Sequence, residues 1–231
     1  MKSPAIELEV SGDRALFTDP VSRLGGEKST YLIPTYEALK GIISSVYWKP
    51  TLLWVVDELR VMKQIRTHTM GVKALRYSGG PHSLHSYTYL SDVEYQIRVH
   101  FEWNMQREDL RADRNLQKHM AVALRSLEKG GRRDVFLGTR ECQGDAEPCQ
   151  FGSGAGYYDE VEEIPFGMMF HGYDYPDDTG KEELHSRLWM PVMRCGVISF
   201  PRPEECETRR FIKAMSARRP EISEFAEEAS R

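Results

Sequence analysis

The sequence predicts an α+β protein, a βαββαβ unit followed by a smaller antiparallel β region, on three observations. Apolar and polar residues alternate at Ile6–Val10 and again at Val93–Trp103, the period of half-buried strands. Two segments between strand patterns carry apolar residues at helical spacing, each behind a good N-cap residue. Beyond Glu141 the helical spacing stops, and Gly, Pro and aromatic residues set off short strands.

Ile6, Leu8 and Val10 alternate with Glu7 and Glu9 in the first strand, which Ala15–Phe17 extends or pairs against. After Gly25-Gly26, Thr35 caps a helix whose Leu39, Ile42, Ile43, Val46 and Tyr47 share a face, with Glu37 favourable in its first turn. Pro50 disfavours helical geometry before it, so this helix ends on Tyr47-Trp48-Lys49. Leu52–Met62 reads as the second strand, leading through the basic stretch to Met70 into a mobile loop at Gly71–Ser86. The third strand is Val93–Trp103. Asn115 then caps a second helix with Leu116, Met120, Ala123, Leu124 and Leu127 on one face, closing at Gly130-Gly131. Asp134–Gly138 supplies the fourth strand and completes the split-βαβ order of ferredoxin-like and RNA-recognition (RRM) folds. Ile164–Tyr173 and Ser186–Phe200, joined by the Pro176–Gly180 turn, form a small antiparallel β subdomain. The chain thus divides into a ferredoxin-like domain at 1–140, a β-rich region at 141–205 and a charged tail at 206–231, with a short helix around Ile222, Phe225 and Ala226.

A chain of 231 residues, 40% apolar and 29% charged, is neither disordered nor fibrous. No apolar run exceeds the five residues of Leu52–Val56, far short of the roughly 20 a membrane helix needs, and no signal-peptide pattern opens the sequence; a soluble, cytoplasmic protein without membrane contact is expected. Cys142, Cys149, Cys195 and Cys206 form no Cys-x-x-Cys pair and read as reduced thiols, with a Cys142–Cys149 hairpin pair as the alternative. The net charge of −4 hides an uneven distribution: Arg60–Arg140 holds 15 basic against 8 acidic residues, and Glu141–Thr208 holds 4 against 15. A basic middle suits a polyanion; two solvated faces are the equal alternative.

Few motifs carry chemistry. Gly152–Gly156 lacks the Gly-Lys-Ser/Thr of a phosphate loop and reads as a flexible connection. His82, His85, His171 and His185 have no matching carboxylate pattern, so no metal and no cofactor are expected. Lys118-His119 is different, because Asn115 as cap places both in the first turn of the second helix, where free amides and the helix dipole favour an anion. With a pKa of about 6.5 a histidine both gives and takes protons near neutrality, whereas a lysine near 10.4 stays a cation. The competing reading packs His119 beside Leu116 and Ala123, and Tyr47 as a core aromatic.

Six separated segments carry a family resemblance: Gly12 to Thr18, Tyr47-Trp48-Lys49-Pro50, Asp113-Arg114-Asn115 with Lys118-His119, Gly130 to Cys142, Glu147-Pro148-Cys149, and Phe170 to Pro176. Together, from about Ile6 to about Phe200, they resemble the type I-C variant of the CRISPR-associated Cascade family five, a member of the repeat-associated RAMP group. That resemblance implies a ferredoxin-like domain and an endoribonuclease that cuts precursor CRISPR RNA within each repeat without metal. It also implies that Tyr47, Lys118 and His119 form the cleavage site. Two residues depart from the family pattern, Tyr36 in place of the usual Pro and Lys40 in place of the usual Arg.

Metal-free cleavage by the neighbouring 2′-hydroxyl needs proton transfer at two oxygens and a cation for the added charge, and would leave a 2′,3′-cyclic phosphate. His119 suits the proton transfer and Lys118 the charge, while Tyr47 either orients the 2′-hydroxyl or acts with His119, the assignment of acid and base being open. Candidate RNA contacts are Lys40, Lys49, Arg76, Arg107, Arg111, Arg114, Arg132 and Arg133. The implied partners are the CRISPR repeat hairpin, the crRNA 5′ handle and other type I-C Cascade subunits, with DNA binding open. The rival readings are a Cascade subunit that clamps the 5′ handle without cutting, and an unrelated scaffold protein.

Overall fold

The structure, a computed structural model, describes residues 2–20, 23, 26–74 and 83–217. Along the chain these form β1 (Ile6–Ala15), β2 (Lys28–Ser29), α1 (Tyr36–Val46), β3 (Leu52–Val61), β4 (Thr67–Ala74) and β5 (Ser83–Trp103). A 3-10 turn at Glu108–Asp113 leads into α2 (Leu116–Leu127), then β6 (Val135–Phe136) and β7 (Gln143–Pro148). The remainder is β8 (Ile164–Pro165), β9 (Met169–Asp174), the single turn α3 (Pro176–Thr179), β10 (Glu183–Trp189), β11 (Val192–Met193), β12 (Val197–Ser199) and β13 (Thr208–Ala214).

The protein is mixed α/β and mostly antiparallel. Its main sheet runs β12-β3-β5-β1-β7-β6, with β2 and β4 also on β5. The alternating run at Val93–Trp103 lies between β1 and β3, so its inward side chains, Tyr95, Ile97, Val99 and Phe101, are buried. Both helices lie over this face: Ile43 and Val46 of α1 and Ala123 and Leu127 of α2 meet Ile6, Leu8, Val99 and Trp54. The helices start where the caps require, Thr35 accepting from the Ala38 amide at 3.2 Å and Asn115 from the Lys118 amide at 3.0 Å.

Several sequence expectations need correction. The first helix ends at Val46, with Tyr47 an extended C-cap (φ −156°, ψ 129°). The strand that returns beside β1 after α2 is β7; Asp134–Gly138 supplies the two-residue edge strand β6. The chain must leave β6 at Gly138, whose φ is +95° and where a Cβ would lie 2.0 Å from the Leu16 carbonyl oxygen. The expected loop at Gly71–Ser86 is strand at both ends, Gly71–Ala74 pairing with Ser83–Ser86. Residues 75–82, including Gly79-Gly80-Pro81, His82 and Arg76, lie outside the described residues.

The expected boundary after residue 140 does not separate two sheets, because β7 pairs with β1 and β12 with β3. The strand expected at Ile164–Tyr173 is split at Gly167 (φ +72°), and that at Ser186–Phe200 at Pro191 and again at Cys195-Gly196 (φ +47° and +78°). The tail holds a strand, β13 on β10, that the sequence pattern does not suggest; Ile222, Phe225 and Ala226, where the short helix is expected, lie outside the described residues. Gly152–Gly156 is held across the outer sheet face: Arg60 donates to the Ser153 and Gly154 carbonyls at 2.9 and 3.0 Å, and Gln96 to Ser153 at 2.9 Å. All four cysteines are free.

Candidate active site

Tyr47 and His119 come together from the end of one helix and the start of the other. The extended backbone at Tyr47 turns its ring under α2 and sends the next side chain, Trp48, outward, half exposed. The Tyr47 carbonyl accepts from Trp54 Nε1 at 2.8 Å, which fixes the turn. Its hydroxyl lies 2.7 Å from His119 Nδ1, 72 residues away in sequence. His119 Nε2 lies 2.8 Å from the Asp113 carbonyl oxygen. A carbonyl only accepts, so Nε2 carries a proton; with the ring neutral, Nδ1 is then the acceptor of the Tyr47 hydroxyl.

The imidazole is fully buried against Phe101 and Trp103, as a packing role requires, yet both its nitrogens are engaged. Burial first, and then the Asp113 charge, push the Tyr47 phenol above its ordinary value, while Arg132 opposes them. The Arg132 guanidinium lies 5.5 Å from the Tyr47 ring centre. It is brought there by the Gly130-Gly131 turn, whose following amides cap α1: Arg132 and Arg133 both donate to the Ser45 carbonyl, at 3.2 and 3.1 Å.

Consecutive helical residues point about 100° apart, which sets Lys118 and His119 against a shared target. The structure resolves this through Asp113: the Lys118 ammonium reaches back to its Oδ1, while His119 reaches its carbonyl. Thr51 donates to Asp113 Oδ2 at 2.9 Å, and the Lys118 bond, the largest influence, holds this carboxyl below the usual range. Lys118 is half exposed. Asp113 and Thr51 are the site residues that sequence reasoning missed. Asp113 stood within a motif already singled out, but nothing in the pattern distinguished its carboxylate from that of Asp109.

The cationic candidates scatter. Lys49, Arg132 and Arg133 are exposed near the C-terminal end of α1. Lys40 pairs with Asp178 at 2.9 Å, and with Arg107 it lines a separate cleft of about 560 Å³ beside Trp48. Arg107 is held by Asp109 at 2.6 Å, and Arg111, 80% exposed, lies 3.7 Å from Glu108. Arg114 serves structure instead: its guanidinium is committed to the Asn104 and Arg107 carbonyls and to Glu108. Tyr36, in the departing position, stacks on buried His171 at 4.2 Å; burial and Arg187 push that imidazole down to about 3. No cluster of three or more His, Cys, Asp or Glu side chains among the described residues is placed to hold a metal ion.

A family model described as CRISPR-associated protein (Cas_Cas5), in its Cas5d form, matches residues 5–201. The chain is 29% identical over 147 residues to the CRISPR pre-crRNA endoribonuclease Cas5d of Mannheimia succiniciproducens, covering 54% of this chain and 63% of that protein. It is 25% identical over 190 residues to the same-named protein of Thermus thermophilus, covering 78% and 77%. Among solved structures, a CRISPR-associated protein is similar at a TM-score of 0.78 and 40% identity, covering 91% of this chain and 98% of that one. A functionally uncharacterized protein from Streptococcus mutans is similar at 0.77 and 41%, with the same coverage. No helix among the described residues is long and apolar enough to cross a membrane.

Proposed function

The chain belongs to the CRISPR-associated Cas5 family, in its Cas5d form, and from that membership we propose that it cuts precursor CRISPR RNA within the repeat by attack of a 2′-hydroxyl, without metal. The observation that carries this reading is the Tyr47–His119 hydrogen bond of 2.7 Å, with the Lys118 ammonium held on Asp113 at the other side of the imidazole. His119 reaches the RNA through Tyr47. The 2′-hydroxyl gives its proton to the Tyr47 oxygen as Tyr47 passes its own to His119 Nδ1, and the 2′-oxygen bonds to phosphorus. The P–O5′ bond breaks, and the leaving oxygen takes a proton from Lys118, the exposed member of the three, whose ammonium first neutralises the phosphate. The products are a 2′,3′-cyclic phosphate and a 5′-hydroxyl. Tyr47 is 1% exposed, so the reaction requires the side chains that cover it to shift before a ribose reaches its hydroxyl.

Lys49, Arg132 and Arg133 are exposed near the end of α1 that carries Tyr47 and are the phosphate contacts of first choice. The strand order β3-β5-β1-β7, with α1 and α2 on one face, supports a ferredoxin-like core as the platform. The partners are the repeat hairpin, the crRNA 5′ handle and other Cascade subunits. Tyr47→Phe removes one oxygen and leaves the packing, so it is expected to lower single-turnover cleavage about a hundredfold or more at unchanged RNA affinity. Cleavage at the wild-type rate would remove Tyr47 from the chemistry.

One observation favours a second reading: His119 is fully buried with both nitrogens occupied, as in a purely structural pair. The protein then clamps the 5′ handle and leaves cutting to another subunit. Repeat RNA bound tightly but left intact in EDTA and in magnesium alike would select the clamp.

A further inference from the structure

Asp113 has no part in the bond-making steps, yet the site is built on it. Its carbonyl oxygen accepts from His119 Nε2 at 2.8 Å and from the Asn115 amide at 2.7 Å. Its Oδ2 accepts from Thr51 and lies 3.4 Å from His119 Nε2, and its Oδ1 holds the Lys118 ammonium. One carboxylate therefore faces both the cation that a phosphate would claim and the ring that would take a proton.

We propose that Asp113 is a positioning residue that exchanges partners. In the free protein it holds Lys118 in reserve, and an arriving RNA phosphodiester takes Lys118 over. The carboxylate then stays with Thr51 and faces the imidazolium that forms on His119. The exchange is cheap, because the lysine is half exposed and solvent screens its ion pair. It is also directional: the vacated carboxylate repels the phosphate before reaction and stabilises the positive ring during it. This inference rests on the reading of Tyr47, Lys118 and His119 as the cleavage site.

Asp113→Asn removes the charge and keeps the shape, so it should act in opposite directions on binding and cutting. With repeat RNA blocked by a 2′-deoxy residue at the cut, Asp113→Asn is expected to bind roughly threefold to tenfold more tightly than wild type. Lys118→Ala should cost more affinity in the Asp113→Asn background than in wild type, since the cation is no longer withheld. With cleavable RNA the same variant should cut at least about tenfold more slowly despite its tighter binding. Thr51→Val loosens the carboxylate without discharging it and should slow cutting at wild-type affinity. Equal loss of binding and cutting together with a lowered melting temperature, or an effect of Lys118→Ala identical in both backgrounds, would overturn the exchange. If wild type cuts nothing, the cleavage reading fails while the binding cycle still decides whether Asp113 withholds Lys118.

Discussion

At Asp113 the sum of small electrostatic effects becomes measurable. The Lys118 ammonium holds its carboxyl below the usual range, so the folded state favours the ionised form. A depressed carboxyl contributes stability that is fully present above its unfolded value, about 3.9, and is lost as pH falls through the folded value. With Lys118 half exposed, the contribution is discounted to roughly 0.5–1 kcal/mol. Wild type is therefore expected to exceed Asp113→Asn by about that much in urea denaturation at neutral pH, with the gap closing as pH falls below the ordinary carboxyl range. A pH-independent gap would assign the effect to packing. Lys118-His119 was legible in sequence because an N-cap and a helix period fix the first turn. Asp113 and Thr51 were not, since their partnership depends on β3 meeting the start of α2, a contact between residues 62 apart.

Element ends position the chemistry. Asn115 holds the Lys118 amide, so Asn115→Ala is expected to cost about 1 kcal/mol of stability by loss of the cap, and Thr35→Ala the same at α1. The two should part in cleavage: Asn115→Ala loosens the turn carrying Lys118 and His119 and should slow cutting, whereas Thr35→Ala, at the far end of α1 from Tyr47, should not. Equal kinetics would dissociate the α2 turn from the reaction. Helix starts were readable because one side chain at one spacing makes them. The end of α1 was misplaced by one to three residues, since Pro50 limits a helix without saying where it stops, and it is the extended backbone at Tyr47 that brings its hydroxyl to His119. β7 escaped notice because Gln-Gly-Asp-Ala-Glu-Pro carries no β-branched or aromatic residue; it is a strand because β1 offers it a paired edge.

On the scale of the whole molecule, a net charge of −4 coexists with a local cationic surface. Lys49, Arg132 and Arg133 lie around the facing helix ends together with Lys118, which Asp113 holds until a phosphate takes it over, whereas Lys40, Arg107 and Arg114 are tied to carboxylates away from that point. Four phosphate contacts on single-stranded RNA predict a slope of roughly −3 in log affinity against log salt. A slope about twice as steep would bring the cleft beside Trp48 into the RNA path. The order β1, α1, β3, the Val93–Trp103 half of β5 and α2 was legible, because alternation and helical period survive in one sequence; β4 and the first half of β5 were not. The join between the two regions was not, because β7 and β12 cross the expected boundary to finish the main sheet. Long-range pairing of that kind leaves no local pattern.

The most direct test is the chemistry of the cut ends. Purified protein incubated with repeat RNA in EDTA, with the products resolved by mass, is predicted to give a 2′,3′-cyclic phosphate on the upstream fragment and a 5′-hydroxyl on the downstream one. A 3′-hydroxyl with a 5′-phosphate would contradict attack by the internal 2′-oxygen, and with it the roles given to Tyr47, Lys118 and His119.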